Sequence, residues 1–249
     1  MPTESALERF YGGYYESEHI ERRGSKITHD NPQRMARHLA GFAEEIQQTD
    51  AISILDFGGG DGTLGMLTAF ELLKSKKVKM AEVTVVDRCG ERCEPIDERI
   101  TLRTSETLDE INRTDFDYVI ASGVLEHIPD APTVLPKVLS CVGKNGIFYA
   151  RTPQVLSFMR LSNASPISWD FYFPAHVYDL GQVFWENYFR SEERGSLFSI
   201  MKSTPSIVET SLSVSPITAI LSHALKSPWY LFGRAWGFVG GWEIVVHRR

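Results

Sequence analysis

Three groups of residues in this chain have types and spacings suited to chemistry. The first is the run ILDFGGGDGTLG, residues 54–65, in which Gly58, Gly60 and Gly62 stand among two carboxylates, Asp56 and Asp61. Glycines packed this densely let a backbone approach a ligand closely. Gly60, Gly62 and Gly65 fit G-x-G-x-x-G, a weak dinucleotide signal when it stands alone. No Gly-Lys-Ser/Thr closes the run, so it is not a P-loop. Two carboxylates beside the glycines are unfavourable for a pyrophosphate and suit a cationic ligand. The second group is Asp87, at the end of the next apolar run, where an acidic side chain can hold both hydroxyls of a ribose. The third is a pair of histidines, His127 within Leu125-Glu126-His127-Ile128 and His176 within Phe173-Pro174-Ala175-His176-Val177-Tyr178. Imidazole titrates near neutral pH and can take a proton from a hydroxyl or keep an amine unprotonated.

These groups need a scaffold that brings strand ends together. Short apolar runs at 52–57, 83–86, 100–103, 116–121 and 146–150 alternate with helical patterns at 63–73 and 131–142. That alternation predicts an α/β fold, a doubly wound and mostly parallel sheet with helices on both faces. Beyond Pro153 the rhythm changes. A helix is expected over 179–189 with Asp179 near its cap, and the last two strands over 208–214 and 242–247, the final one antiparallel. Residues 1–50 form a helical lead-in, with a helix starting at Asn31-Pro32, and residues 51–249 a single domain interrupted at about 215–241 by an aromatic insertion.

Composition narrows the function classes. The 249 residues are 43% hydrophobic and 23% charged, an ordinary globular balance. The net charge of −6 argues against a nucleic-acid partner, which favours basic surfaces. The N-terminal residues lack a basic-then-apolar leader, and no apolar run is long enough to span a bilayer. Three cysteines do not make a disulfide framework, so a reducing cytoplasmic setting is expected. Cys89 and Cys93 have a zinc-compatible spacing but no nearby histidine, and no metal is expected.

A ribose, a close backbone approach and a positive charge together describe S-adenosylmethionine. The segments ILDFGGGDG, VTVVDR, FDYVIASGVLEHIPD and LPKVLSCVGKNGIFYARTP occur in that order. In them the chain resembles the class I S-adenosylmethionine-dependent methyltransferase family, and most closely its small-molecule branch. The likeness is good over about 50–153 and poor beyond about 190. It implies a Rossmann-like sheet of seven strands and S-adenosylmethionine as cofactor, leaving S-adenosylhomocysteine as product. It implies that Asp56, Gly58, Gly60 and Gly62 hold the amino acid end of the cofactor and Asp87 the ribose. Arg88 would flank the adenine, Ser105 and Glu106 touch its amino group, and Ala121 and Ser122 lie beside the sulfonium. His176 falls on the substrate-side segment of that branch.

The implied activity is methyl transfer to a hydroxyl or amine of a small metabolite or sugar. Tyr11, Tyr14 and Tyr15, beside Gly12 and Gly13, suit a lid; Phe173, Tyr178 and Arg151 suit an acceptor pocket. Each has a plainer reading: turn caps for the aspartates, packing for the histidines and aromatics, a surface ion pair for Arg151. The insertion, with Trp229, Tyr230, Phe232, Trp236 and Phe238, reads as core, as a homodimer face, or as a surface meeting a lipid-linked substrate. Two other functions stay open at this point, a nicotinamide-dependent oxidoreductase and a catalytically idle cofactor-binding partner subunit.

Overall fold

A computed structural model of the chain describes residues 31–43, 50–75, 78–88, 93–163, 176–210 and 214–249. Its strands are β1 (Ala51–Phe57), β2 (Met80–Val86), β3 (Ile100–Ser105), β4 (Phe116–Ser122), β5 (Val142–Gln154), β6 (Phe198–Pro205) and β7 (Gly240–Arg248). They form a seven-stranded sheet in the order β3-β2-β1-β4-β5-β7-β6. Strands β1 to β5 pair in parallel, and β7 runs antiparallel to both β5 and β6. The order in which the chain winds through the sheet reverses between β1 and β4, and open α/β sheets bind ligands at the carboxyl ends of strands flanking such a switch point.

The central strands are apolar on both sides because both faces are covered. On one face α1 (Pro32–Phe42) and α2 (Thr63–Lys74) bury Met35, Leu39, Met66 and Leu72 against Ile54, Val83 and Ile120. On the other, α3 (Ala131–Ser140) and α5 (Gln182–Arg190) bury Leu135, Val138, Trp185 and Phe189 against Leu55, Val119 and Phe148. Helix α1 begins as expected, with the Asn31 side chain accepting from the Arg34 N–H at 3.0 Å and Pro32 in the first turn. It belongs to the core: Leu39 is fully buried, and its carbonyl accepts from the Tyr118 hydroxyl at 3.1 Å.

Two elements differ from the sequence expectation. The strand expected over 208–214 is instead β6, which starts ten residues earlier, at Phe198. After Pro205 the Ser206 N–H makes a last bond to Gly241 O, and Glu209 then turns to Arg151. As an edge strand β6 pairs on one side only and stays half-buried, so FSIMKSTP carries no clear apolar alternation. The second difference is Asp179. Its carboxylate caps the preceding helix, α4 (Leu156–Asn163), accepting from the Val155 and Leu156 N–H groups at 3.1 and 2.9 Å. Helix α5 starts later, at Gln182, behind Gly181.

Helix α6 (Glu192–Leu197) leads into β6, and the aromatic insertion folds as α7 (Pro216–Lys226) and α8 (Trp229–Phe232). Its tryptophans turn inward: Trp229 packs on buried Trp242 with centroids 5.2 Å apart, and the Trp236 indole Nε1–H donates to Leu225 O at 2.8 Å. Ile217, Ile220, Leu221, Tyr230, Leu231 and Phe232 are exposed, so that half of the insertion is surface rather than core. None of the described helices is long and apolar enough to cross a membrane.

Candidate active site

The glycine run leaves β1 as a turn whose conformations only glycine adopts comfortably. Gly58, Gly60 and Gly62 have φ of +71°, +59° and +91°. The surroundings add a second constraint. A Cβ on Gly58 would overlap Val124, and one on Gly59 or Gly65 would overlap the Asp56 carboxyl group. A Cβ on Gly60 meets nothing within 4 Å, so open space lies over that residue.

The two carboxylates of the run brace the turn. Asp56 is 1% exposed and its Oδ2 accepts from the Gly65 N–H at 2.9 Å. Asp61 Oδ1 accepts from the Thr63 N–H at 2.9 Å and so caps the start of α2. Their negative field remains beside the loop. Asp87 stands at the end of β2, and its Oδ2 accepts from the Gly60 N–H at 2.9 Å. One residue earlier, the Gly58 N–H donates to Val86 O at 2.8 Å. The first and second strand ends are thereby locked together around the open space.

Next to Asp87 the Arg88 side chain is exposed. Ser105 closes β3 and donates to Glu110 Oε2 at 2.5 Å, while the Glu106 N–H donates to the same oxygen at 3.0 Å. These two residues therefore build a turn one strand beyond Asp87. Ala121 and Ser122 end β4, buried, with Ser122 in register with Arg151 of β5. Arg151 ion-pairs with buried Glu209 and lines a polar cavity of about 200 Å³ with Thr210, Ser222 and Lys226. Lys226 donates to both oxygens of Ser206, and burial, reinforced by the Arg151 charge, brings its pKa down to about 8.

Beyond β4 the chain makes a 3-10 turn, Leu125–His127, directly after the Val124 that touches the glycine run. Glu126 and His127 occupy this turn. The segment carrying His176 is tied to it through the backbone: the Val177 and Tyr178 N–H groups both donate to Glu126 O, at 2.8 and 3.3 Å. The Tyr178 hydroxyl donates to Pro129 O at 2.7 Å and holds the far side of the turn. As a result the imidazoles of His127 and His176 lie 4.7 Å apart, centroid to centroid, edge to face. Burial, helped by the neighbouring His127, lowers the His176 pKa to about 4, so it is neutral at physiological pH. Burial raises the Glu126 carboxyl to about 7, against the opposing pulls of a backbone hydrogen bond and of Arg151.

The two histidines, about fifty residues apart in the sequence, thus occupy one place. Glu126, passed over in the sequence as part of LEHIPD, joins them, with one donor atom from each of the three within 4.8 Å of the others. Cys93 sits close to Gly62, and burial raises its thiol pKa. Tyr11, Tyr14, Tyr15, Phe173 and Cys89 lie outside the described residues.

Residues 27–198 match a family described as "Methyltransferase domain", a span of more than half of the chain. No curated protein matches the sequence. Among solved structures, the plantazolicin methyltransferase BpumL in complex with S-adenosylhomocysteine superposes with a TM-score of 0.54 at 13% identity, covering 88% of this chain and 86% of that one. Magnesium protoporphyrin IX methyltransferase from Synechocystis PCC 6803, also with S-adenosylhomocysteine, gives 0.52 at 12% identity, covering 87% and 83%. The N-methyltransferase NodS from Bradyrhizobium japonicum WM9, with the same ligand, gives 0.50 at 11% identity, covering 88% and 89%. At these identities the likeness is one of fold.

Proposed function

Since this chain belongs to the methyltransferase-domain family and is an S-adenosylmethionine-dependent enzyme, we propose that it methylates a hydroxyl or amine of a small metabolite or sugar. We place that acceptor at the carboxyl ends of β4 and β5. When bound, S-adenosylmethionine supplies a methyl group already activated by its sulfonium. The residues at the first strand ends suit it. Space is open over Gly60, Asp87 sits at the end of β2 where a ribose is held, and the field of Asp56 and Asp61 is of the right sign for a cation. Arg88, Ser105 and Glu106 flank the adenine end in this reading, and Ala121 and Ser122 the sulfonium.

One observation carries the acceptor placement. His127, three residues beyond the Val124 that abuts the cofactor cradle, is held against the neutral His176. Arg151, in register with Ser122 at the end of β4, lines with Lys226 the cavity that in this reading receives the remainder of the acceptor. The acceptor heteroatom gives up its proton on the histidine side and forms the new bond to the methyl carbon. The carbon–sulfur bond breaks with its electron pair left on sulfur. Water-free alignment accounts for much of the rate, since no covalent enzyme intermediate is needed. The nicotinamide reading of G-x-G-x-x-G is set aside by the family match.

Calorimetry with S-adenosylhomocysteine and, separately, NAD tests the cofactor assignment directly: the first binds and the second gives no heat. Asp87→Ala is expected to weaken S-adenosylhomocysteine by roughly 10- to 100-fold, the worth of hydrogen bonds to a charged group; an unchanged affinity removes Asp87 from the ribose. Gly60→Asn is the complementary probe. Asparagine tolerates positive φ, so the fold survives while the added side chain fills the open space. Affinity is expected to fall by about 100-fold with the melting temperature little changed. Retained binding in that variant places the ligand elsewhere.

A further inference from the structure

We propose that Glu126, His127 and His176 form a binding site for a zinc-class divalent metal ion at the carboxyl edge of the sheet. One donor atom from each of the three residues lies within 4.8 Å of the others. The donor set is two imidazole nitrogens and one carboxylate oxygen. That set suits zinc, iron(II), cobalt or manganese and is too nitrogen-rich for calcium or magnesium.

A second observation points to a ligand independently. Glu126 is 4% exposed, and its Oε2 has no hydrogen-bond partner among the described residues. A carboxylate oxygen stripped of water and given no donor is costly, and natural cores rarely keep one without a reason. A bound cation supplies the missing partner.

The backbone also prepares the site. Glu126 and His127 are consecutive on the 3-10 turn, and the residues just after His176 hydrogen-bond to the Glu126 carbonyl. All three ligands are therefore positioned from one short loop and one strap. A tetrahedral zinc site, with bonds of about 2.0–2.1 Å, sets its donor atoms roughly 3.3 Å apart. Small side-chain rotations close the remaining distance. Arg151, the cation whose charge acts on Glu126, is itself paired with buried Glu209.

Three protein ligands leave a coordination position open, as catalytic rather than structural metal sites do. The role of the ion rests on the acceptor placement proposed above. An acceptor hydroxyl reaching the open position is polarised by the ion and releases its proton to solvent, with the electron pair kept on oxygen. His127 and His176 then manage the acceptor proton through the ion they hold.

Cobalt(II) reports the site without any need for an acceptor. The full-length chain is stripped with a chelator, dialysed, and titrated with Co²⁺ while visible absorption is followed. Parallel calorimetry measures S-adenosylhomocysteine. The expected result is one Co²⁺ per chain with the visible bands of a four- or five-coordinate nitrogen and oxygen site. Those bands should be lost in Glu126→Gln, His127→Gln and His176→Gln, while all three variants melt cooperatively and bind S-adenosylhomocysteine as the parent does. No stoichiometric Co²⁺, or Co²⁺ bands that persist in all three variants, overturns the metal site. Normal S-adenosylhomocysteine binding in that case leaves the methyltransferase reading standing. Failure to bind S-adenosylhomocysteine in the parent chain identifies the cofactor reading as the one at fault.

Discussion

His176→Ala and His127→Ala are each expected to lower kcat by about 10²–10⁴, the usual worth of the group that manages a proton in the transition state. The affinity for S-adenosylhomocysteine should stay within about twofold, since neither imidazole belongs to the glycine cradle. Initial rates with an acceptor fraction that supports turnover, set beside calorimetry and a thermal melt, give the three readouts. The separation between them matters most. A packing role for the pair predicts a lower melting temperature with kcat nearly kept. A role in the cofactor site predicts lost binding. Parallel losses in the two variants mark a joint device, as the imidazole geometry implies, whereas a loss confined to His176→Ala makes that residue a lone base.

The parts of this site legible in the sequence are those fixed by local backbone constraints. Gly58, Gly60 and Gly62 are glycine because their φ angles are positive, and Gly59 and Gly65 because Asp56 fills the space a Cβ needs. The parallel strands read clearly because burial on both faces makes them continuous apolar runs. Asp87 followed from its place at a strand end. What escaped is tertiary. Nothing local announces that the backbone after His176 bonds to Glu126, about fifty residues away, so the cluster of the two histidines with Glu126 is invisible to spacing. The edge strand β6 escaped because a strand paired on one side needs no alternating pattern. Asp179 stands where a cap for the following helix is expected, although its carboxylate reaches back to the start of the helix before. The insertion could not be apportioned between core and surface from composition, because its inward tryptophans and outward leucine, isoleucine and phenylalanine are equally apolar.

The largest stability effect is expected at a residue no motif contains. Glu243, on β7 and in register with Arg151, is 1% exposed. It is held by the His38 Nε2 at 2.9 Å, the Lys202 ammonium at 2.7 Å and the Tyr149 hydroxyl at 3.2 Å. These bonds tie α1, β5, β6 and β7 into one unit. Glu243→Ala deletes the acceptor and leaves Lys202 beside a cavity with no counter-charge. A loss of about 3–5 kcal/mol is the usual cost of breaking a buried pair from one side, or roughly 6–20 °C in melting temperature for a domain of this size. Urea unfolding measures it, and a change within about 1 kcal/mol shows that the cluster is not a clamp. The pH dependence has a definite sign. Burial alone raises the Glu243 pKa, but the bonds from His38 and Lys202 outweigh it and hold the carboxyl below its ordinary value. A carboxyl lowered in the folded state stabilises the protein fully above its unfolded pKa and loses that contribution as pH falls through the folded one. Acid unfolding of the parent chain should therefore be steeper than that of Glu243→Gln, which carries no charge to lose.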